Sequence, residues 1–125
     1  MDKPISALHL SASGMRAQGE RLRHTAENIA NAETTGYHRK TMTFEAAAGD
    51  AIEAGPVRLD STPPERTYDP SSPMVDADGY AQGSNVNLLL EMADAREASR
   101  GYEANLKMFE QTRAMSSALL DLLRR

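Results

Sequence analysis

The chain has 125 residues, one domain's worth, with 40% hydrophobic residues, no Cys, no Trp and a formal net charge of −4. The lack of Cys excludes disulfide scaffolds, thiolate metal sites and cysteine nucleophiles together, and no stretch approaches the ~18 apolar residues of a membrane span. Charge is uneven: residues 33–86 hold four basic against nine acidic groups, residues 1–32 four against three and residues 87–125 six against six, so there is no basic footprint for nucleic acid.

The opening "MDKPISALHLSASGM" lacks a basic flank followed by an unbroken apolar run, and is not expected to be a cleaved secretory signal. Instead a helix is expected from Pro4, whose missing N–H is not needed in a first turn, to about Asn31. Its apolar and small residues fall at Ile5, Leu8, Ala12, Met15, Gly19, Leu22, Ala26 and Ile29, in alternating steps of three and four. That is a heptad seam. One column is large (Leu8, Met15, Leu22, Ile29) and the other mostly small (Ala12, Gly19, Ala26). Gly inside a helix costs about 1 kcal/mol relative to Ala, so Gly19 needs a reason, and close approach of a partner helix supplies one.

Asn28, Asn31, Thr34, Thr35 and Gly36 are poor helix formers and should end this helix, with Gly allowing a left-handed exit. Beyond them Met42 and Phe44 alternate with Thr41, Thr43 and Glu45, the period of a half-buried strand, and Val57 with Leu59 could return antiparallel. A β-hairpin over roughly 37–61 is expected, with "AAAGDAIEAG" as a loose loop. From Ser61 to Ser84 the chain is punctuated by Pro63, Pro64, Pro70, Pro73, Gly79 and Gly83 and has no periodicity, so it reads as an extended connector with a tight turn at Asp78-Gly79.

A second helix begins at "SNVNLLLEM", capped by Asn85 or Asn87, with Glu91 and Asp94 near its positive end and Arg124 and Arg125 at its negative end. Its stripe is Met92, Ala95, Ser99, Tyr102, Leu106, Phe109, Thr112, Met115, Leu119 and Leu122, a heptad with one interruption after Phe109. Glu103 and Lys107 form an oriented i,i+4 pair. The fold class is therefore mainly α. Long terminal helices (1–36 and 85–125) pair as a coiled coil in one discontinuous domain, and 37–84 forms a small central β-hairpin and connector. A two-helix hairpin leaves apolar surface wet, and at about 25 cal/mol per Å² such surface favours association.

Four features point to chemistry and fall short. His9, His24 and His38 have no HExxH or other paired-ligand spacing and read as surface or partner-contact residues. A calcium loop starting at Asp76 would need Gly at 81 and Glu at 87, where Ala81 and Asn87 stand. The carboxylates of the middle segment lack an aromatic sugar platform for a glycosidase, and Ser11, Ser13 and Gly14 are no nucleophile elbow. No catalytic, metal or cofactor site is assigned. The basic cluster Tyr37 to Lys40 could pair with the acidic middle of a neighbouring subunit. A transiently binding helical adaptor, a small cell-wall enzyme and a membrane-surface helix are rival readings, the last disfavoured by mixed charges on the polar faces.

Two segments carry a resemblance. "NIANAETTGYHRK" resembles the stretch that ends the N-terminal helix of the axial proteins of the bacterial flagellum (rod, hook and hook-associated proteins). "NVNLLLEMADAREASRGYEANLKMFEQTRAMSSALLDLL" is similar to their C-terminal helix, including Tyr102, Ala104 and Asn105. The short length and "YDPSSPMVDADGYAQGSNVN" point to the basal-body rod members, although Ser84 stands where that pattern commonly has Pro. The resemblance implies a non-enzymatic building block whose terminal helices line an inner tube while the middle projects outward. Its implied partners are other rod subunits, the membrane-ring base and the flagellar type III export apparatus, with the rod transmitting torque across the periplasm. The residues expected at subunit interfaces are the seam positions Leu8, Ala12, Met15, Gly19, Leu22, Ala26, Ile29, Met92, Tyr102, Leu106, Phe109, Met115, Leu119 and Leu122. Gly19 and Ala26 should set helix separation, and Leu106, Phe109 and Leu119 should supply most of the burial.

Overall fold

The computed structural model describes the backbone of residues 3–124 and the side chains of residues 6–124, so the side chains expected at Ile5 and Arg125 lie outside the described residues. Helix α1 (Lys3–Ala30) and helix α2 (Leu88–Leu123) enclose six short strands in sequence: β1 (Lys40–Thr41), β2 (Phe44–Ala46), β3 (Ile52–Ala54), β4 (Arg58–Leu59), β5 (Arg66–Tyr68) and β6 (Tyr80–Gln82). The strands pair antiparallel as β1 with β4, β2 with β3 and β5 with β6.

Both helix ends form for local reasons. After Ala30 the chain tightens into turns, with the Thr34 N–H donating to the Asn31 carbonyl at 3.0 Å, and Gly36 then takes a φ of +74° that favours glycine. The Gly36 N–H donates to the Gly83 carbonyl at 3.0 Å, which ties the exit of α1 to the approach to α2. Of the two cap candidates Asn87 is the cap, its side chain accepting from the Leu89 N–H at 3.1 Å and the Leu90 N–H at 3.5 Å.

The expected hairpin is present as two short ladders, Lys40↔Leu59 and Thr41↔Arg58, then Phe44↔Ala54 through Ala46↔Ile52. Its tip is less loose than expected, because β3 forms within the stretch read as loop. There the Ile52 N–H donates to the Ser13 hydroxyl at 3.1 Å, folding the hairpin back along α1. The connector expectation is corrected further: β5 and β6 make a second hairpin with Arg66↔Gln82 and Tyr68↔Tyr80 in register. Tyr68 and Tyr80 meet edge to face with ring centroids 5.3 Å apart, and the Arg66 guanidinium lies over Tyr80. Three-residue strands are too short for an alternating pattern to register. The turn at Asp78-Gly79 is present, with Gly79 at a φ of +84° and its N–H bonded to the Asp76 carbonyl.

The helices lie side by side and antiparallel, for Asn28 meets Glu91, Gln18 meets Gly101 and Gly14 meets Asn105. Each helix carries a glycine and an amide one turn apart, and each amide covers the other helix's glycine. A Cβ on Gly14 would stand 2.7–2.8 Å from the Asn105 amide atoms, and one on Gly101 would stand 2.7 Å from Gln18 Nε2. The Arg21 guanidinium adds a cross-helix ion pair to Asp94 and Glu97, each at 3.3 Å. Among the described residues the only buried apolar side chains are Ala17 and Ala98.

The expected pairing of the two heptad seams as a coiled coil is not what brings the helices together within the chain. The intramolecular contact runs instead along a stripe of small and polar residues, Ser11, Gly14, Gln18, Arg21 and Asn28 facing Glu91, Ala98, Gly101 and Asn105. Within the chain Gly19 and Ala26 do not set the helix separation: a Cβ on Gly19 would meet nothing within 4 Å, and Ala26 is exposed.

Candidate assembly surface

The surface is held in place by a polar junction where α1, α2 and the first hairpin meet. Asn28, 1% exposed, acts as a piece of backbone. Its Nδ2 donates to the Lys40 carbonyl at 2.9 Å while its Oδ1 accepts from the Lys40 N–H at 2.8 Å and from the Tyr37 hydroxyl at 2.8 Å. The Asn28 amide also donates to Glu91 Oε2 at 3.2 Å. Asn85 does the same for the loops, accepting from the Arg39 N–H at 2.6 Å and donating to the carbonyls of Asp60 at 3.0 Å and Thr62 at 2.9 Å. An asparagine side chain carries the same donor and acceptor as a peptide, so it can end a helix and begin a ladder at one point.

Arg39 closes the junction. Its Nε donates to Glu91 Oε1 at 2.6 Å, and its guanidinium also reaches Asp94 at 3.3 Å and Asp60 at 3.6 Å. Burial works against the Arg39 charge, but the hydrogen bond and charge of Glu91, with Asp94 and Asp60, outweigh it and raise its pKa. Glu91 itself is 1% exposed, a buried carboxylate that is tolerated because it is paired. Lys40 donates to Glu27 at 2.6 Å, and this bond holds the Glu27 carboxyl below the usual range and lifts Lys40. Burial pushes the Tyr37 hydroxyl up. The basic cluster at the helix exit is thus spent within the chain, mainly on α2 and α1, which corrects the expectation of an acidic partner on a neighbouring subunit.

The histidine expectation is corrected in part. His9 is exposed, but His24 is buried with Nε2 3.9 Å from Glu20, and His38 Nδ1 lies 2.8 Å from the Asp60 carbonyl. The Asp76 carboxylate accepts from the N–H groups of Asp78 at 2.9 Å and Tyr80 at 3.0 Å and pairs with Arg66, so it is engaged in holding its turn. Those backbone bonds lower its pKa.

With the small-polar stripe used inside the chain, the large apolar residues face outward. On α1, Leu8, Met15 and Leu22 are half-buried and Ile29 is exposed. On α2, Met92, Tyr102, Leu106, Met115, Leu119 and Leu122 are all exposed, Met115 at 67%. Phe109 is half-buried and shares a shallow cleft with Leu8, His9 and Ala12. The seam reading missed Leu88, Leu89, Leu90, Met108, Leu120 and Leu123, which are exposed as well. The run "NLLLEM" was the signal for the first three, since three consecutive leucines cannot all face one partner helix. No described helix is long and apolar enough to cross a membrane.

Residues 8–38 match the flagella basal body rod protein family, and residues 77–122 match the flagellar basal body rod FlgEFG protein C-terminal family. The chain is 38% identical to the flagellar basal-body rod protein FlgC of Agrobacterium fabrum, across 99% of this chain and 98% of that protein. The chain belongs to the FlgC family of flagellar basal-body rod proteins. Its similarity to the FlgC of Salmonella typhimurium is 32% identity over 94% of this chain and 96% of that protein, and to the FlgC of Bacillus subtilis 28% over 93% and 95%. The two family matches fall on the segments that make the helix pair: the first takes α1 through its exit at His38, the second β6 and α2 to Leu122. Membership in this family makes the chain a structural subunit and decides against the cell-wall enzyme reading.

Proposed function

We propose that this rod subunit takes its place in the basal body by covering its outward apolar stripes with helices of neighbouring subunits. The reading rests on one observation: the small-polar stripe is consumed within the chain while Met92, Leu106, Met115, Leu119 and Leu122 remain exposed. Burial of a Leu or Met side chain is worth about 1.5–3 kcal/mol, so a handful of such contacts per neighbour outweighs much of the entropy of association. The coiled-coil seams of α1 and α2 then run between subunits. Residues 1–36 and 85–125 form the axial unit and 37–84 project outward. In this reading the rod crosses the periplasm, meets the membrane-ring base, transmits torque and encloses the export channel through which its own subunits arrive.

Gly19 provides the test. A leucine there would point into an open cleft beside Ala17 and Ile52, so the isolated chain accommodates it. Gly19→Leu should leave export and monomer stability intact and abolish swimming when it replaces the parent chain in a motile strain. Normal swimming would remove Gly19 from the subunit interface.

A further inference from the structure

The first hairpin is two pieces joined at a bend. The inner pairing matches Thr41 with Arg58 and the outer pairing Phe44 with Ala54, so Met42 and Thr43 on one strand face Gly55, Pro56 and Val57 on the other. That extra residue makes a β-bulge, which bends the strand and interrupts its ladder, and Pro56 has no N–H to give across it. The inner piece is pinned, Lys40 by Asn28 and the Asp60 carbonyl by Asn85. The outer piece, residues 43–55, carries β2 and β3 and is held far less. Its ladder bonds run from the Gly55 N–H to the Thr43 carbonyl and from the Ala47 N–H to the Ala51 carbonyl, each at 2.7 Å. Alternate residues therefore point their N–H groups away from the ladder. Ile52 is one of these, and its N–H goes to the Ser13 hydroxyl on α1 at 3.1 Å. Among the described residues no other hydrogen bond or ion pair ties residues 43–55 to either helix.

Open space borders both the outer piece and the bend. A cleft of about 510 Å³ lies between α1 at Gly19 and β3 at Ile52 and Ala54. A second, of about 490 Å³, is lined by His24 together with Met42, Thr43 and Phe44 at the bend. Phe44 and Ile52 stay 43% and 39% exposed, so the outer piece hides little apolar surface by lying along α1. His24 is buried beside the bend with Nδ1 unpartnered, which disfavours the closed arrangement. We propose that residues 43–55 form a strap, latched to α1 by the Ser13–Ile52 bond, that swings open about the bulge as one body while the helix pair and the inner ladder stay closed. Opening breaks one hydrogen bond and little packing, lets water in beside His24, and bares the α1 surface around Ser13, which is 2% exposed when the strap is down. Such a motion sits at the low end of local opening free energies. Parting the helices costs far more, because it strips Glu91 of Arg39.

Hydrogen exchange of the full-length chain, read amide by amide by NMR, separates swinging from melting. The Ile52 amide reports the latch, the Gly55 amide the outer ladder and the Lys40 amide the inner piece. After correction for intrinsic rates, Ile52 should exchange about tenfold faster than Gly55 and Lys40. Equal protection at Ile52 and Lys40 would overturn the strap. Protection at Gly55 as poor as at Ile52 would overturn it too, since the hairpin would then melt instead of swinging. A second readout uses the absence of cysteine from the chain. Ser13→Cys keeps a small side chain beneath the strap, and Ala98→Cys puts a thiol in the helix–helix contact, where Ala98 is 0% exposed. With the circular dichroism of each variant unchanged, excess maleimide should label Ser13→Cys about tenfold faster than Ala98→Cys. Equal labelling rates would mean that Ser13 is reached only when the whole fold opens, and the strap would be ruled out.

Discussion

Replacing Gly14 with Ala separates packing inside the chain from packing between chains. The new Cβ would lie 2.7–2.8 Å from three atoms of the Asn105 amide. Asparagine is too short to swing its far end clear, so the helices part and Asn105 also gives up its 2.8 Å bond to the Gly101 carbonyl. Overpacking of this kind costs about 1–3 kcal/mol and a lost hydrogen bond about 1 kcal/mol, while removing a helical glycine returns about 1 kcal/mol. The net is a loss of about 2 kcal/mol. At about 4 °C per kcal/mol for a chain of this size, the Tm should fall by about 8 °C. Gly19→Ala has the same propensity gain with no neighbour within 4 Å, and its Tm should rise by about 4 °C. Thermal melts followed by circular dichroism at 222 nm measure both. If the two variants shift in the same direction, the register of the helix pair described above is wrong.

Arg39→Ala leaves Glu91 buried without its cation and should cost about 3 kcal/mol in urea unfolding, against about 1 kcal/mol or less for Arg23→Ala, whose ion pair with Glu20 is exposed. Asn28→Ala removes the bridge to both backbone groups of Lys40 and should cost about 2 kcal/mol, with early hydrogen exchange at the Lys40 amide; protection equal to the parent would refute that role. The Glu27 carboxyl is held below its usual pKa by Lys40, so its contribution is present above the unfolded value and is lost as pH falls through the folded one. Stability should therefore decline as the pH falls below the ordinary glutamate range, and Glu27→Gln should flatten part of that decline; an unchanged slope would count against the bridge.

Local chemistry made much of this chain readable. Helix spacing in steps of three and four, the run of Asn, Thr and Gly after Ala30 and the cap at Asn87 depend on neighbours within a few residues, and those elements form where the sequence puts them. The first hairpin also follows from alternation over Thr41 to Glu45, and the two terminal segments carry enough of the family pattern to identify it. The second hairpin escaped because three-residue strands held by a Tyr68–Tyr80 contact have no period to detect.

Which stripe of each helix meets the other was a tertiary decision. Each helix has two candidate stripes, one of large apolar residues and one of small and polar residues, and spacing alone favours the first. In the folded chain the glycines at 14 and 101 let the backbones approach, the amides of Asn105 and Gln18 fill the gaps, and Arg39 commits Glu91 to the interior. None of these partners is near the other in the chain, so their fit cannot be read from local pattern. The sequence alone settled that there are two helices and a small β middle; long-range packing settled that the polar stripe faces inward, because only there do glycine and amide coincide across the helix pair.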